Sequence, residues 1–483
     1  MKTDIFYIHP STSLKKIGYC IFPAGVISIL NYLKENGFSV SGLNYPLEKC
    51  LNKNFNLKNF LFEKKFEIIA IDLHWHQHSY GAVEIAKFLK KLFPDTPIVL
   101  GGYTATFFAK EILKEIKEID FVIKGDAHLP LLKLIQNIKE NKNYFEEIPN
   151  LVYRKGIEIF ETPQEFILKD LNKLNFVDIS FLNNSKYYYY THLHYYGEKI
   201  PFFILTIASG CIHNCICCGG SKYSSLNILK RNFLIRNPEK ILEDMEYLSK
   251  IGIKKIWFSH DLQSLGRENF SELFSKIRKK NLKFGGVMDI WENIDSDFLK
   301  EFSATFEKEN SALTISPISG NEKVRKKFGK LYGNREFMET ILKLKKENIP
   351  VEVYFSYYLP FENYKFFKET LEILNNLKNI FSNKKIFLEC KPAVIDPGSL
   401  LFENPEKYDV EILKKNFRNF YNSSKKRGFF YKISKDMIGY SLKNSQIHPL
   451  FLYIFWSFLK FNILFRKILE FLTKIFKIGM ISK

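Results

Sequence analysis

The chain has 483 residues, 46% of them hydrophobic, and carries 72 Lys and Arg against 52 Asp and Glu, for a formal net charge of +20. That length and apolar fraction exclude a disordered chain and leave room for two or three domains, each able to bury a core. The basic balance implies an anionic partner such as nucleic acid, a membrane surface or a phosphorylated substrate. No signal peptide precedes the first element, since Met1 to Ile8 reads directly as a strand. Over residues 1–150 short apolar strands alternate with helical segments. DIFYIHP is followed by the helix VISILNYLKENG, which ends at Gly37, and then by SVSGLNYP and EIIAIDLHW. The amphipathic YGAVEIAKFLKKLF, the strand TPIVLGG, the helix KEILKEIKE, the strand DFVIKGD and the helix PLLKLIQNIKE complete the run. Such alternation predicts a doubly wound parallel sheet, whose ligands bind beyond the carboxyl ends of the strands. The residues at those ends are His9-Pro10-Ser11, His74-Trp75-His76, Gly101-Gly102-Tyr103-Thr104 and Gly125-Asp126.

Residues 151–194 read as a hairpin, with Lys155-Gly156 at its turn, followed by a linker with a tyrosine run at 187–190. Six further strand–helix units follow over 195–400: PFFILTIA, KKIWFSHD, KFGGVMDIW, ALTISPISG, VEVYFSYYLP and KIFLECKPAVI, with amphipathic helices between them. Parallel barrels carry their chemistry at the carboxyl ends of such strands. Just past the first lies TIASGCIHNCICCGGS, in which Cys211, Cys215 and Cys218 have a C-x-x-x-C-x-x-C spacing. Three thiolates this close can hold three irons of a four-iron four-sulfur cluster and leave the fourth open. A closed zinc site wants a fourth ligand, and no second spaced pair exists. The remaining cysteines are Cys20, Cys50, Cys217 and Cys390; the odd total of seven argues for a reducing, cytoplasmic setting rather than a disulfide framework.

The cysteine spacing, the apolar strand before it and Gly219-Gly220 after it resemble the radical S-adenosylmethionine (SAM) superfamily, with Cys217 where that family usually has an aromatic residue. PDTPIVLGGYTAT and DFVIKGDAHLPLLKLI resemble the cobalamin-binding domain that precedes many radical SAM domains, and DPGSLLFENPEKY resembles the segment that closes the barrel in that cobalamin-linked branch. The resemblance implies an N-terminal Rossmann-like cobalamin domain, a partial (β/α)6 barrel, and a 4Fe-4S cluster, SAM and cobalamin as cofactors. It implies Cys211, Cys215 and Cys218 as cluster ligands. It implies Gly219, Gly220, Asp261, Ser316, Ser319 and Arg325 as SAM neighbours, with Asp261 meeting the amino group and Arg325 the carboxylate. It implies Ser11, His74, Gly101, Gly102, Tyr103, Thr104 and Gly125 as cobalamin neighbours. Two departures stand out. The D-x-H-x-x-G signature that supplies a lower ligand to cobalamin is absent after the first strand, while LHWHQHSYG brings His74, His76 and His78 near the expected corrin face. In SPISGNEKVRKKFGK, Ile318 replaces a glutamate that the family uses near SAM.

The implied activity is radical modification of an unactivated carbon, foremost methylation of a small-molecule or lipid-like substrate, with an electron donor such as ferredoxin or flavodoxin as partner. A non-methylating cyclase or carbon–carbon bond former is the first alternative. A nucleic-acid-binding protein with a structural cluster is the second. It would need exposed aromatics among basic residues, as in Lys414 to Lys432, a stretch that reads first as a solvated helix and loop within a helical extension at 401–444. The last segment, 445–483, is apolar and basic. From Phe461 onward its apolar and cationic residues fall on opposite helical faces, which predicts docking on an anionic membrane surface; a terminal helix packed on the barrel is the competing expectation.

Overall fold

The structure is a computed structural model. It describes residues 2–15, 20–190, 200–381, 386–426, 431, 434–443 and 448–461. The expected amphipathic face from Phe461 to Lys477 therefore lies outside the described residues, apart from Phe461 itself.

The first sheet contains β1 (Thr3–His9), β2 (Val40–Asn44), β3 (Phe66–Asp72), β4 (Ile98–Gly101), β5 (Phe121–Ile123), β6 (Leu151–Lys155) and β7 (Glu158–Glu161). Their spatial order is β2-β1-β3-β4-β5-β6-β7. The first five strands are parallel and the order reverses between β1 and β3, so the carboxyl ends of those two strands flank the topological switch point. Strands buried on both faces read as continuous apolar runs, and β1 shows why: Ile5 and Tyr7 enter one core while Phe6 and Ile8 enter the other. The hairpin at 151–161 is part of this sheet. Its strands β6 and β7 extend it antiparallel to β5, so the first folding unit runs past residue 150.

The second sheet has β8 (Phe202–Leu205), β9 (Lys255–Phe258), β10 (Gly285–Ile290), β11 (Ala312–Ile318), β12 (Val351–Tyr357) and β13 (Ile386–Pro392). All six pair in parallel in chain order, and β8 and β13 are its two edges, so the barrel is open on one side. Helix Pro449–Phe461 packs against β12 and β13, with Leu452 buried. The start of the C-terminal segment thus sits on the barrel edge. Among the described residues no helix is long and apolar enough to cross a membrane.

The extension after the barrel turns back to the first unit. Helix Phe417–Lys425 lies against helix Ser79–Leu92, Phe417 and Phe420 enter the core beneath the first sheet, and the Phe417 amide donates to Glu111 at 2.7 Å. Burying two phenylalanines this way contributes about 2–3 kcal/mol each. It also withdraws Phe417 and Phe420 from any nucleic-acid surface at 414–432, and Lys414 is itself buried, donating to the Met437 carbonyl at 3.0 Å.

Candidate functional site

The cysteine loop leaves the carboxyl end of β8 and is held on three sides. From the barrel, the Ile216 amide donates to the Phe328 carbonyl at 3.3 Å, and Gly329, at φ +97°, presses on it so closely that a Cβ there would lie 2.5 Å from the Asn214 carbonyl. From the segment after β13, the Asp396 amide donates to the Cys217 carbonyl at 3.1 Å and the Leu401 amide to the Ile216 carbonyl at 2.9 Å. From its own end, Ser221 caps the helix Lys222–Asn227. Backbone amides of His213 and Gly220 donate to Sγ of Cys211 and Cys218 at 3.4 and 3.3 Å. Such contacts stabilise thiolates and tune cluster ligands.

Burial first, then the charge of Asp396 and those of Cys215 and Cys211, hold the Cys218 thiol up, so the three cysteines of the motif are near enough to act on one another electrostatically. Three crowded thiolates of like charge are the donor set that a cationic iron centre would relieve, so the loop fits a cluster. Cys217 differs. It is buried in the large hydrophobic core shared by the two sheets, and burial raises its thiol well above the ordinary range.

The residues expected around SAM divide. Gly220 and Ser316 border the loop and the barrel mouth and are not sealed. Gly219 faces elsewhere: a Cβ there would lie 2.8 Å from the Tyr103 ring, so this glycine serves the seam with the first sheet. Asp261 is buried and accepts from the amides of Gln263 and Trp291 at 2.9 and 3.0 Å, which makes it a structural cap rather than an open acceptor for an ammonium group. Ser319 is fully buried, its Oγ accepting from the Asn321 amide at 3.2 Å. Arg325 is fully buried too. Its guanidinium donates to the carbonyls of Pro317, Ser319 and Tyr332 and to Asn334, and it lies over the rings of Tyr332 and Phe337. Four of its five N–H groups are committed inside the protein and the group is fully buried, so it does not present an open fork to a SAM carboxylate. Arg325 instead braces the bulge after Ile315, where the β-branched Ile318 is forced to φ +66°.

Other side chains stand where those were expected. Lys330, from the same quoted segment, exerts its charge on Cys211, His213, Asp261 and Asp289. Asp289 is half-buried at the barrel mouth, and burial pushes it up to about 6, with Lys330 opposing and Asp261 adding to the rise. Asp289, Thr314 and Glu352 are in register on three neighbouring strands and form a polar layer, with Thr314 Oγ1 donating to Glu352 at 3.3 Å. Trp291 packs edge-on to His213 and His260, each at 5.3 Å, and so lays an aromatic wall beside the cysteine loop. The alternation of β10 could have flagged Asp289, because a carboxylate inside an otherwise apolar parallel strand needs a reason.

At the first sheet, the strand-end residues again divide. Ser11 is sealed under helix Ser79–Leu92, its carbonyl against Gly81, and offers nothing to a ligand. Thr104 is buried with its Oγ1 donating to the His74 carbonyl at 2.8 Å. Gly102, at φ +106°, presses on the backbone of residues 73–74, where a Cβ would lie 2.8 Å from the His74 nitrogen, so it serves chain packing; beside Gly101 the space is open. Gly102→Ala should therefore lower stability by more than about 2 kcal/mol, from the left-handed backbone plus the overlap, while Gly101→Ala leaves the unfolding midpoint unchanged. A denaturation series on the two variants checks this. Gly125, at φ +64°, is half-buried and its amide donates to Thr106 at 2.9 Å.

The three histidines diverge. His76 points to Asp396 at 3.6 Å and to the Phe420 ring. His78 is fully buried against His9 and Trp75. His74 is recessed yet partly open, edge-on to Trp75 and Tyr103; burial pushes its imidazole down to about 4, with Asp72 opposing and Arg231 adding to the fall.

Asp396, Pro397 and Gly398 form the seam between the two units. The Gly219 amide donates to Asp396 at 2.9 Å, the Tyr103 hydroxyl donates to the Pro397 carbonyl at 2.9 Å, and Ser224 Oγ donates to the Gly398 carbonyl at 2.9 Å. The carboxyl end of the first sheet and the cysteine loop thus meet across one short segment.

Two sequence profiles match the chain: the B12 binding domain over residues 11–135 and the Radical SAM superfamily over residues 205–374. The chain carries a B12-binding domain followed by a radical SAM domain. A 4Fe-4S cluster, SAM and cobalamin are the cofactors that these two domains imply. Among curated relatives, an uncharacterized methyltransferase of Pyrococcus horikoshii is 24% identical over 204 residues, 42% of this chain and 41% of that protein. The anaerobic magnesium-protoporphyrin IX monomethyl ester cyclase of Cereibacter sphaeroides is 25% identical over 42% of this chain and 32% of its own. The hopanoid C-3 methylase of Methylococcus capsulatus is 21% identical over 52% of this chain and 45% of its own. The chain thus aligns with less than half the length of each. Among solved structures, the radical SAM methyltransferase TsrM of Kitasatospora setae superposes with a TM-score of 0.63 at 14% identity, covering 83% of this chain and 76% of that one. The cobalamin-dependent radical SAM enzyme OxsB gives a TM-score of 0.59 at 12% identity over 91% of this chain and 64% of that one. Both share its fold.

Proposed function

We propose that this radical SAM protein uses cobalamin to modify an unactivated carbon, foremost by methylation. The observation that carries this is the seam: Tyr103 from the first sheet and Gly219 from the cysteine loop both bond to Asp396-Pro397, so the carboxyl end of the first sheet meets the cysteine loop. When bound, the cluster supplies the electron that cleaves SAM to a 5′-deoxyadenosyl radical, and cobalamin supplies a methyl carrier. Cys211, Cys215 and Cys218 would hold the cluster. Lys330 would set a positive charge beside the SAM carboxylate, Asp289 would accept from its amino group, and Trp291 would exclude water from that side. The methyl-transfer reading draws on relatives named as methyltransferase and methylase. A cyclase remains the second reading because another relative carries that name.

A lipid-like substrate is the finer reading, in line with the hopanoid named for one relative and with the apolar, basic C-terminal segment. The polar layer of Asp289, Thr314 and Glu352 requires that whatever enters the barrel carry hydrogen-bonding groups at that depth. Ferredoxin or flavodoxin, both acidic as a rule, suit a basic chain as electron donors. The experiment is anaerobic incubation of cluster- and cobalamin-loaded protein with SAM, reductant and a lipid extract of the host, read by mass spectrometry. The expected products are 5′-deoxyadenosine, S-adenosylhomocysteine and a substrate heavier by one CH2 unit. Deoxyadenosine with no mass gain favours the cyclase reading, and no deoxyadenosine removes both. Pelleting of full-length protein with anionic vesicles, lost on truncation after Ser445, is the expected outcome for the membrane partner.

A further inference from the structure

We propose that His74, backed by Asp72, is the protein's own lower ligand to the cobalt of a bound cobalamin. The inference rests on the reading that the first domain binds cobalamin, and it concerns which residue meets the metal. His74 lies two residues past the end of β3, one of the two strands that flank the switch point, where doubly wound sheets receive their ligands. Its backbone is fixed. The carbonyl accepts from Thr104 Oγ1 at 2.8 Å and from the Thr104 amide at 3.3 Å, and Gly102 closes against its nitrogen. A side chain carried on so rigid a segment is placed for coordination rather than for adaptable contact.

The imidazole itself makes no hydrogen bond among the described residues. Its neighbours are two ring edges, Trp75 at 5.2 Å and Tyr103 at 6.5 Å, and part of its surface is open. Its sister histidines lie deeper, His76 buried against the Phe420 ring with its Nε2 3.6 Å from Asp396, and His78 in the core. The second observation is Asp72. This carboxylate is almost fully buried; Oδ1 accepts from the Tyr7 hydroxyl at 2.7 Å and pairs with His9 Nδ1 at 2.8 Å, while Oδ2 has no partner. A buried carboxylate oxygen left unmet costs about 1–3 kcal/mol. Asp72 stands two residues before His74 and acts on it electrostatically. In this structure Oδ2 does not bond to the imidazole; were it to receive the far N–H of the ring once a metal is held, it would fix the tautomer and strengthen the ligand. Neutral imidazole is the form that binds a metal. The sequence carries the pair as Asp72-Leu73-His74, after the third strand rather than the first.

The test is electron paramagnetic resonance of full-length, cluster-loaded protein holding cob(II)alamin, with a mild reductant that leaves the cluster in its silent oxidised state. One coordinating nitrogen splits each cobalt line into three. Protein grown with 15N-labelled histidine and loaded with unlabelled cobalamin should show two, because the nitrogen then belongs to the protein and not to the cofactor's own base. His74→Gln should retain the corrinoid and lose the splitting, while His76→Gln and His78→Gln keep it. Asp72→Asn should keep the splitting but shift the cobalt hyperfine spacing, as expected of a positioning residue. Lines unchanged by the label, no splitting at all, or splitting that survives in His74→Gln would overturn the assignment, and an unshifted Asp72→Asn spectrum would remove Asp72 from it. Failure of the wild-type protein to retain any corrinoid would overturn the cobalamin reading instead.

Discussion

Alanine at Cys211, Cys215 or Cys218 is expected to reduce reconstituted iron to background and to abolish SAM cleavage, whereas alanine at Cys217 leaves iron content intact. The two classes differ in surroundings more than in spacing. Cys211 and Cys218 receive backbone amides from within the loop, and Cys218 feels the charges of Cys215 and Cys211. Cys217 stands next to Cys218 in sequence, yet its side chain belongs to the large hydrophobic core shared by the two sheets, among residues that also include Ile216 and Tyr440. A buried thiol with no cationic neighbour is a small hydrophobe. Its removal should cost about 1 kcal/mol and lower the unfolding midpoint without touching the cluster. Iron and sulfide assays after anaerobic reconstitution, alongside thermal unfolding, separate the two outcomes. Equal iron loss from Cys217→Ala would reassign the ligands, and a full cluster in Cys211→Ala would remove the radical reading altogether.

How much of this was legible in the sequence depends on whether a feature is local. The strands were legible because each parallel strand is an apolar run closed by a turn residue, and all six barrel strands fall where their runs stand, from Phe202 to Pro392. The cysteine loop was legible because its chemistry lies within eight residues. Which polar residues face a ligand was not, because that is decided by chain segments far apart. Arg325 reads as a carboxylate clamp until the carbonyls of Pro317, Ser319 and Tyr332 are seen around it. Gly102 reads as a cradle for a cofactor until the backbone of residues 73–74 is found in the space. The hairpin at 151–161 is legible as a hairpin from its turn, but its place in the first sheet is not, because that is set by pairing with β5. Lys330, one lysine among many in a chain of this charge, carries no local signal.

The sharpest separation between a structural and a ligand-facing role is expected for Arg325 and Lys330, five residues apart on the same segment. Arg325→Met leaves the carbonyls of Pro317, Ser319 and Tyr332 buried without their donors and releases the strained turn at Ile318. Each orphaned acceptor costs about 1–3 kcal/mol, so the variant should lose roughly 3 kcal/mol or more of stability. Arg325→Lys should not restore it, because a single ammonium cannot reproduce a planar fork that bonds to carbonyls on several sides. Lys330→Met should behave in the opposite way. Its charge acts on Cys211, His213, Asp261 and Asp289, so its loss removes a cation from the surroundings proposed for SAM while the aliphatic stem is preserved. SAM affinity of the cluster-loaded protein should fall roughly tenfold, which corresponds to about 1.4 kcal/mol, with little change in the unfolding midpoint. Equilibrium dialysis with SAM and chemical denaturation on the same three variants measure both quantities. If Arg325→Met kept its stability and lost SAM, the guanidinium would have to leave its carbonyls to reach the ligand, and the assignment of the two cations would be reversed.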